Sequence, residues 1–182
     1  MNIDNLIETA INREGGYVNH PADRGGATCW GITEAVARAH GYRGEMRSFP
    51  RVEARAIYER IYWLKPGFDT VAPIAPTIAA ELFDTGINMG PAVAVAFLQR
   101  ALNALNRGAS DYDDVIAGPR VDEATITALG KFLAKRRPAG ERVLLKALEA
   151  LQGERYLDLA ERRPANEAFL YGWLANRVGQ FS

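Results

Sequence analysis

Apolar residues recur at helical spacing along most of this chain, and the strict alternation typical of strands is scarce. The pattern predicts helices with approximate bounds 3–14, 34–40, 50–62, 74–89, 91–106, 123–135, 141–161 and 166–177. Helix-ending glycines and helix-starting prolines separate these segments, and residues 111–120 are predicted to form a loop. We therefore predict a mainly α fold.

The candidate domain boundary lies at Gly90-Pro91, between two strongly apolar helices. Because each of these helices needs a partner to cover its faces, we expect two packed lobes, residues 1–90 and 91–182.

Composition narrows the possible functions of these helices. The chain has 182 residues, and its 22 basic and 22 acidic side chains give a net charge of 22 − 22 = 0, which argues against a nucleic-acid partner. One cysteine forms no internal disulfide, and with two histidines it is too poor a set for structural zinc. We expect a monomer. Since the N-terminus lacks a secretory signal and no apolar run reaches about 18 residues, we expect it to be made in a host or bacterial cytoplasm.

The first predicted helix carries the leading catalytic candidate. Glu14 continues the apolar stripe of Ile7 and Ile11, so we expect its carboxyl to be partly desolvated. Desolvation and the negative end of the helix dipole both favour a retained proton, which a general acid needs. Gly15 and Gly16 leave room for a ligand. The alternative is that Glu14 pairs with an arginine and the glycines only cap the helix.

A second carboxylate follows in a glycine-rich loop. Asp23 is expected to be hydrated and ionised, and two carboxyls in opposite protonation states are what cleavage of a glycosidic bond requires. The hydroxyl of Thr28 is suited to hold a water. The alternatives are an Asx-type turn for Asp23 and a strand or turn position for Thr28.

Four further residues are candidates for binding a sugar: the aromatic rings of Tyr17, Trp30 and Tyr62, and the amide of Asn88. Asn88 is equally well explained as a helix-ending amide. Cys29 with His20 or His40 suggests a thiol peptidase, but a buried inert thiol explains Cys29 better.

These residues lie in motifs that resemble glycoside hydrolase family 108, the lysozyme-like N-acetylmuramidases of phage endolysins, prophages and some secretion systems. In the first half the similar motifs are Glu14-Gly-Gly-Tyr17, Asp23-x-Gly-Gly-x-Thr28, Gly31-Ile-Thr33, Ile57-Tyr58, Tyr62-Trp63 and Leu82–Gly90. The second half resembles the peptidoglycan-binding module of that family, through Leu98–Asn103, Gly118-Pro119, Thr125, Arg155-Tyr156 and Phe169–Arg177. The chain departs from the family pattern at Cys29-Trp30, where Asn and Tyr are common, and at Asp113-Asp114, where Asp-Gly is usual.

The resemblance implies a lysozyme-like helical fold and carries the role of catalytic acid to Glu14. The spacing of Glu14, Asp23 and Thr28 is also similar to the catalytic triad of T-even phage lysozymes, which has one more residue before its threonine. We therefore predict a muramidase that hydrolyses the β-1,4 bond between N-acetylmuramic acid and N-acetylglucosamine in bacterial peptidoglycan, without a metal or cofactor.

Two alternatives remain open. One is a lytic transglycosylase, which needs one glutamate and leaves an anhydro sugar. The other is a non-catalytic wall-binding or secretion-accessory protein. In each case the chain would act on the wall in the periplasm, which implies delivery by a phage holin or by a secretion system.

Overall fold

The computed structural model describes residues 3–19 and 26–181. The chain divides into two compact units, Met1–Ile61 and Tyr62–Ser182, and each is described here by itself. Within the described residues the only sheet is one two-stranded hairpin and the remaining elements are helical, so the prediction of a mainly α fold is confirmed.

Among its described residues, the first unit contains three α-helices and the hairpin: α1 (Ile3–Glu14), β1 (Thr28–Cys29), β2 (Ile32–Thr33), α2 (Glu34–Ala39) and α3 (Arg51–Tyr58). A short 3-10 helix, Met46–Ser48, precedes α3, and a π-helical segment, Glu59–Leu64, continues α3 across the division between the units. The sequence analysis did not predict the hairpin because its strands are two residues long, too short to show alternation.

Local signals set the ends of the helices in the first unit. Gly15 ends α1 with a φ of 77°, and its backbone N–H donates to the Ile11 carbonyl at 3.2 Å. Thr33 caps α2 as predicted, because its Oγ1 accepts a hydrogen bond from the Val36 backbone N–H at 3.4 Å. The sequence predicts Pro50 as the first residue of the third helix. In the structure Pro50 is the N-cap, and α3 begins one residue later, at Arg51.

The core of this unit forms where α1 packs against α3. Ile7 and Ile11 are fully buried, and Ile57 of α3 is 4% exposed. On the outer side of this contact, Arg51 of α3 forms an ion pair with Glu8 of α1. These contacts fix the end of α1 that carries the catalytic candidate.

The second unit consists of helices: α4 (Phe68–Val71), α5 (Pro76–Met89), α6 (Pro91–Ala104), α7 (Glu123–Lys135), α8 (Gly140–Arg162) and α9 (Glu167–Arg177). A 3-10 turn, Pro164–Asn166, joins α8 to α9. Every residue from 78 to 86 of α5 is buried, and α6 and α8 pack against this helix.

The division into compact units therefore differs from the boundary predicted at Gly90-Pro91. Gly90, with a φ of 94°, makes the tight connection between α5 and α6, and these two helices pack against each other within the second unit. The two apolar helices thus form a helical hairpin, and the division into lobes 1–90 and 91–182 stays a prediction.

The predicted loop after α6 is organised by one buried amide. The Nδ2 of Asn106 donates to the Tyr112 carbonyl at 2.6 Å and to Oδ1 of Asp114 at 2.8 Å. The Oδ1 of Asn106 accepts from the Tyr112 backbone N–H at 3.1 Å. Asp114 is thus tied into the loop by a hydrogen bond that a glycine at this position would not form.

A buried polar cluster links α5 to α8. Glu81, which is 1% exposed, accepts a hydrogen bond from Thr85 at 3.2 Å, and Gln152 of α8 donates to the Thr85 hydroxyl at 3.0 Å. Burial, together with the charges of Asp84 and Glu149, raises the pKa of Glu81 to about 7, although the Thr85 hydrogen bond opposes the shift.

None of the described helices is both long and apolar enough to cross a membrane.

Candidate active site

Glu14 is the last residue of α1 and its side chain is exposed. The expectation of a partly desolvated carboxyl is therefore wrong for the unliganded protein. The apolar stripe does place Glu14 in line with Ile11, but Ile11 is the last buried residue of α1. A Cβ added to Gly15 or Gly16 would meet no described atom within 4 Å, so the described residues do not crowd the backbone that follows the acid.

Glu14 forms no ion pair with the described residues. Arg51 is already bonded to Glu8 and to Oδ1 of Asn12, the latter at 2.7 Å. The alternative in which an arginine neutralises Glu14 therefore finds no support in the described part of the chain.

The hairpin presents its turn to this acid. Trp30 and Gly31 form the two-residue turn, with φ values of 54° and 75°, and two positive φ values are characteristic of a type I′ hairpin turn. Val18 extends the sheet through two backbone hydrogen bonds with Thr28, each of 2.8 Å. The segment after α1 is thereby paired with the hairpin.

Gly31 makes the closest approach to the catalytic candidate. A Cβ at this position would lie 2.8 Å from Cγ of Glu14 and 2.3 Å from the hydroxyl oxygen of Tyr58. Only a glycine fits between the two side chains, and its positive φ also favours glycine. Gly31 therefore brings the base of the Glu14 side chain and a phenol hydroxyl to the same point.

Tyr58 is a candidate that the sequence analysis assigned no role. It is the last residue of α3 and only 2% exposed, so packing fixes its ring. Its place in the Ile57-Tyr58 motif was a signal, but the proximity of its hydroxyl to Glu14 depends on the hairpin, which the sequence analysis did not predict.

Thr28 lies on the less buried face of the hairpin. Its cross-strand partner is Thr33, and both are half-buried, whereas the neighbouring pair of Cys29 and Ile32 is buried at 3% exposure each. The Thr28 hydroxyl donates weakly to the Gly26 carbonyl, at 3.5 Å. Its role in holding a water stays a prediction. Asp23 and His20 lie outside the described residues.

The two aromatic candidates in this unit are both half-buried and both contact an arginine. Nε1 of Trp30 donates to the Phe49 carbonyl at 3.1 Å, and the Arg51 guanidinium lies 5.1 Å from the Trp30 ring. The Arg47 guanidinium lies 4.7 Å from the Tyr17 ring. Each ring is thus held in place, as a stacking surface must be, but sugar binding by either ring stays a prediction.

Cys29 is buried, and burial raises the pKa of its thiol against a weaker opposing effect of the Trp30 backbone N–H. A thiol kept protonated is a poor nucleophile, so the structure favours the inert thiol over the peptidase alternative.

The other two binding candidates belong to the second unit. Tyr62 is half-buried in the π-helical segment. Asn88 is exposed near the end of α5, where its Nδ2 donates to the Asp84 carbonyl at 2.8 Å and to Oδ2 of Asp84 at 3.2 Å. This bonding matches the alternative of a helix-ending amide, and substrate binding by either residue stays a prediction.

Comparison with known protein families indicates the class of protein in which this geometry occurs. Residues 7–90 match the family described as Glycosyl hydrolase 108, and residues 93–178 match the family described as Predicted Peptidoglycan domain. The first half of the chain is therefore similar to glycosyl hydrolase family 108, and the second half is similar to a peptidoglycan domain.

A solved structure from Brucella abortus, that of SagA, is similar over nearly the whole chain. The two share 25% sequence identity with a TM-score of 0.68, and the match covers 98% of this chain and 90% of SagA. No curated protein matches the chain. Together the two family matches define a glycoside hydrolase whose binding target is peptidoglycan.

Proposed function

We propose that this protein is an N-acetylmuramidase that hydrolyses the β-1,4 bond between N-acetylmuramic acid and N-acetylglucosamine, with Glu14 as the proton donor. One observation carries the proposal. Within the segment that matches the hydrolase family, Glu14 is exposed at the end of α1, beside glycines that leave its carboxyl accessible to a polymer.

The exposure of Glu14 changes how its proton is retained. In the free protein Glu14 is exposed. A bound glycan strand excludes water from the carboxyl and supplies the apolar surroundings that the sequence analysis had assigned to the core, and desolvation favours the neutral acid. The proton then lies next to the glycosidic oxygen that it must reach, where general acid catalysis contributes about 10²- to 10⁴-fold to the rate.

The residues around Glu14 have separate roles in this proposal. Gly31 and the fixed Tyr58 hold the base of the Glu14 side chain. Asp23, as a carboxylate, orients a water or stabilises the positive charge that develops on the sugar, and Thr28 helps to place that water.

The test is the mass of the products released from purified sacculi. Hydrolysis adds one water and gives a reducing N-acetylmuramic acid end, whereas a lytic transglycosylase gives an anhydro end. The transglycosylase is the second candidate because that reaction needs one catalytic glutamate, and Glu14 is exposed at the end of α1. Anhydro products alone would refute hydrolysis, and a lack of any products would favour a non-catalytic wall-binding protein.

The proposal extends to where the enzyme acts. A peptidoglycan substrate places its work at the cell wall, in the periplasm of a target cell. Delivery by a holin during phage lysis would make it a bacteriolytic endolysin, and export with a secretion system would make it a secretion muramidase. Deleting the neighbouring holin or secretion genes and measuring wall degradation distinguishes the two.

A further inference from the structure

Helix α9, Glu167–Arg177, is unusual in that none of its residues is buried, although it carries several large apolar side chains. Phe169 is 59% exposed, Tyr171 is 85% exposed and Leu174 is 36% exposed. A helix of a folded unit normally buries its apolar stripe. The exposed rings of α9 therefore need an explanation other than the core.

This helix is nonetheless held firmly to the rest of the second unit. The guanidinium of Arg177 pairs with Oδ1 of Asp84 at 2.8 Å, in a setting where both side chains are mostly buried. The ring of Trp173 stacks on Tyr156 of α8, with the centroids 5.2 Å apart and the planes 26° apart. Exposure of the apolar residues is therefore not a consequence of a loose terminus.

One ring of α8 and two rings of α9 form a continuous stack. Phe169 lies one helical turn from Trp173, with ring centroids 6.0 Å apart and planes 24° apart. The stack begins at Tyr156, which is 3% exposed, and ends at the exposed Phe169. We call the two rings that α9 contributes, the exposed Phe169 and the half-buried Trp173, the aromatic ledge. Tyr171 is two residues from Phe169 and so points from the opposite side of the helix.

The chemistry of the ledge and of its border fits a glycan strand that carries acidic peptides. Flat apolar rings pack well against the C–H faces of pyranoses. Arg163 is exposed between α8 and α9, whereas the neighbouring Arg162 already pairs with Asp158, and Glu167 is the only acid from Arg163 to Val178. This border is complementary to the carboxylates of peptidoglycan stem peptides. All of α9 lies within the residues that match the peptidoglycan domain.

We propose that the aromatic ledge is a docking surface for the glycan strand of peptidoglycan, in which the outer face of Phe169 stacks on a sugar ring, Trp173 supports Phe169 from behind, and Arg163 binds a stem-peptide carboxylate. The inference rests on the proposed function only for the identity of the polymer. It assigns a surface in the second unit and does not involve Glu14.

The experiment measures binding of the full-length chain to purified sacculi by co-sedimentation, with Glu14→Gln present throughout so that the polymer stays intact. Phe169→Ala should weaken binding about three- to tenfold, which corresponds to the loss of one stacking contact. Phe169→Tyr should restore it, because the ring returns. Tyr171→Ala is the matched control: it removes a more exposed ring from the same helix and should leave the affinity unchanged.

The charged part of the proposal has its own probe. Arg163→Gln should weaken binding to intact sacculi, and the loss should disappear on sacculi whose stem peptides have been removed by an amidase. The effect of Phe169→Ala should persist on that stripped glycan.

Two results would overturn the inference. Equal binding by wild type and Phe169→Ala would remove the ledge from the binding surface, and an equal loss in Tyr171→Ala would indicate unspecific adhesion. The same holds if sedimentation velocity shows that Phe169→Ala dissolves an oligomer, since the ledge would then be a contact between copies of the chain. Failure of the proposed function is distinguishable, because it shows as a lack of released muropeptides from the enzyme with Glu14 intact.

Discussion

Glu14 in the first unit and Glu81 in the second are both helix glutamates, but their surroundings are opposite. Glu14 is exposed at a helix end beside glycines, and Glu81 is 1% exposed in the middle of α5. Burial raises the pKa of Glu81 to about 7, a value that suits a general acid. Yet a sugar cannot reach a carboxyl enclosed by α5 and α8. A perturbed pKa is evidence for catalysis only where a substrate has access.

The sharpest test of this comparison is the same substitution at both positions. Glu14→Gln should lower the rate of wall hydrolysis by at least about 10²-fold, since it removes the only proposed proton donor. Because the Glu14 side chain is exposed, the melting temperature of this variant should differ little from that of the wild type. Glu81→Gln should retain the wild-type rate. Release of dye from labelled sacculi, with thermal unfolding of each variant, measures both effects. A reversed result would make Glu81 the functional acid.

The pH dependence of the free energy of unfolding should reveal the raised pKa of Glu81. Folded Glu81 titrates near 7 and unfolded Glu81 near its usual 4.5, so between these values the folded state holds more protons. The free energy of unfolding should therefore fall as the pH rises from about 4.5 to 7, by up to about 3 kcal/mol. Below 4.5 both states are protonated and the contribution is constant.

Glu81→Gln should remove this part of the pH dependence, because an amide does not titrate. Urea unfolding of wild type and variant at several pH values gives the difference. If the two curves remain parallel from pH 4.5 to 7, Glu81 does not carry the retained proton.

Two glycines of the first unit allow the stability cost of backbone strain to be measured separately from the cost of close packing. Gly31 and Gly15 have nearly equal φ values, 75° and 77°, but only Gly31 has neighbours where a Cβ would lie. Gly15→Ala should cost about 1–2 kcal/mol for the left-handed backbone alone. Gly31→Ala should cost about 1–3 kcal/mol more, from overpacking against Glu14 and Tyr58. Chemical denaturation measures both, and equal losses would show that the contact at Gly31 is unimportant.

The smallest expected effect is that of Tyr58→Phe. The ring stays and the core should be kept, while the hydroxyl beside Glu14 is lost. If Tyr58 positions the acid, kcat should fall by about tenfold or less while KM stays near the wild-type value. Steady-state hydrolysis of a soluble glycan substrate separates these constants. An unchanged kcat would limit Tyr58 to a packing role.

The fold was largely predictable because its signals are local. The ends of α1 at Gly15 and of α2 at Thr33 follow from glycine and cap chemistry, and α7 has the predicted bounds, residues 123–135. The hairpin was not predictable in the same way. Its turn contains Trp30 at a positive φ, which is unusual for a bulky residue, and its strands are too short to produce a pattern.

The sequence by itself determined the helices, the family and the position of Glu14 at a helix end, since each depends on residues close together in the chain. Tertiary structure alone decided that Glu14 is open to water, that Gly31 and Tyr58 meet at its base, and that Glu81 is the acid with the raised pKa. Exposure, close approach and desolvation are set by residues distant in sequence: the hairpin turn and α3 meet α1 at the first site, and α8 covers α5 at the second. Periodicity within one helix cannot indicate which neighbour will cover a side chain, or whether any will.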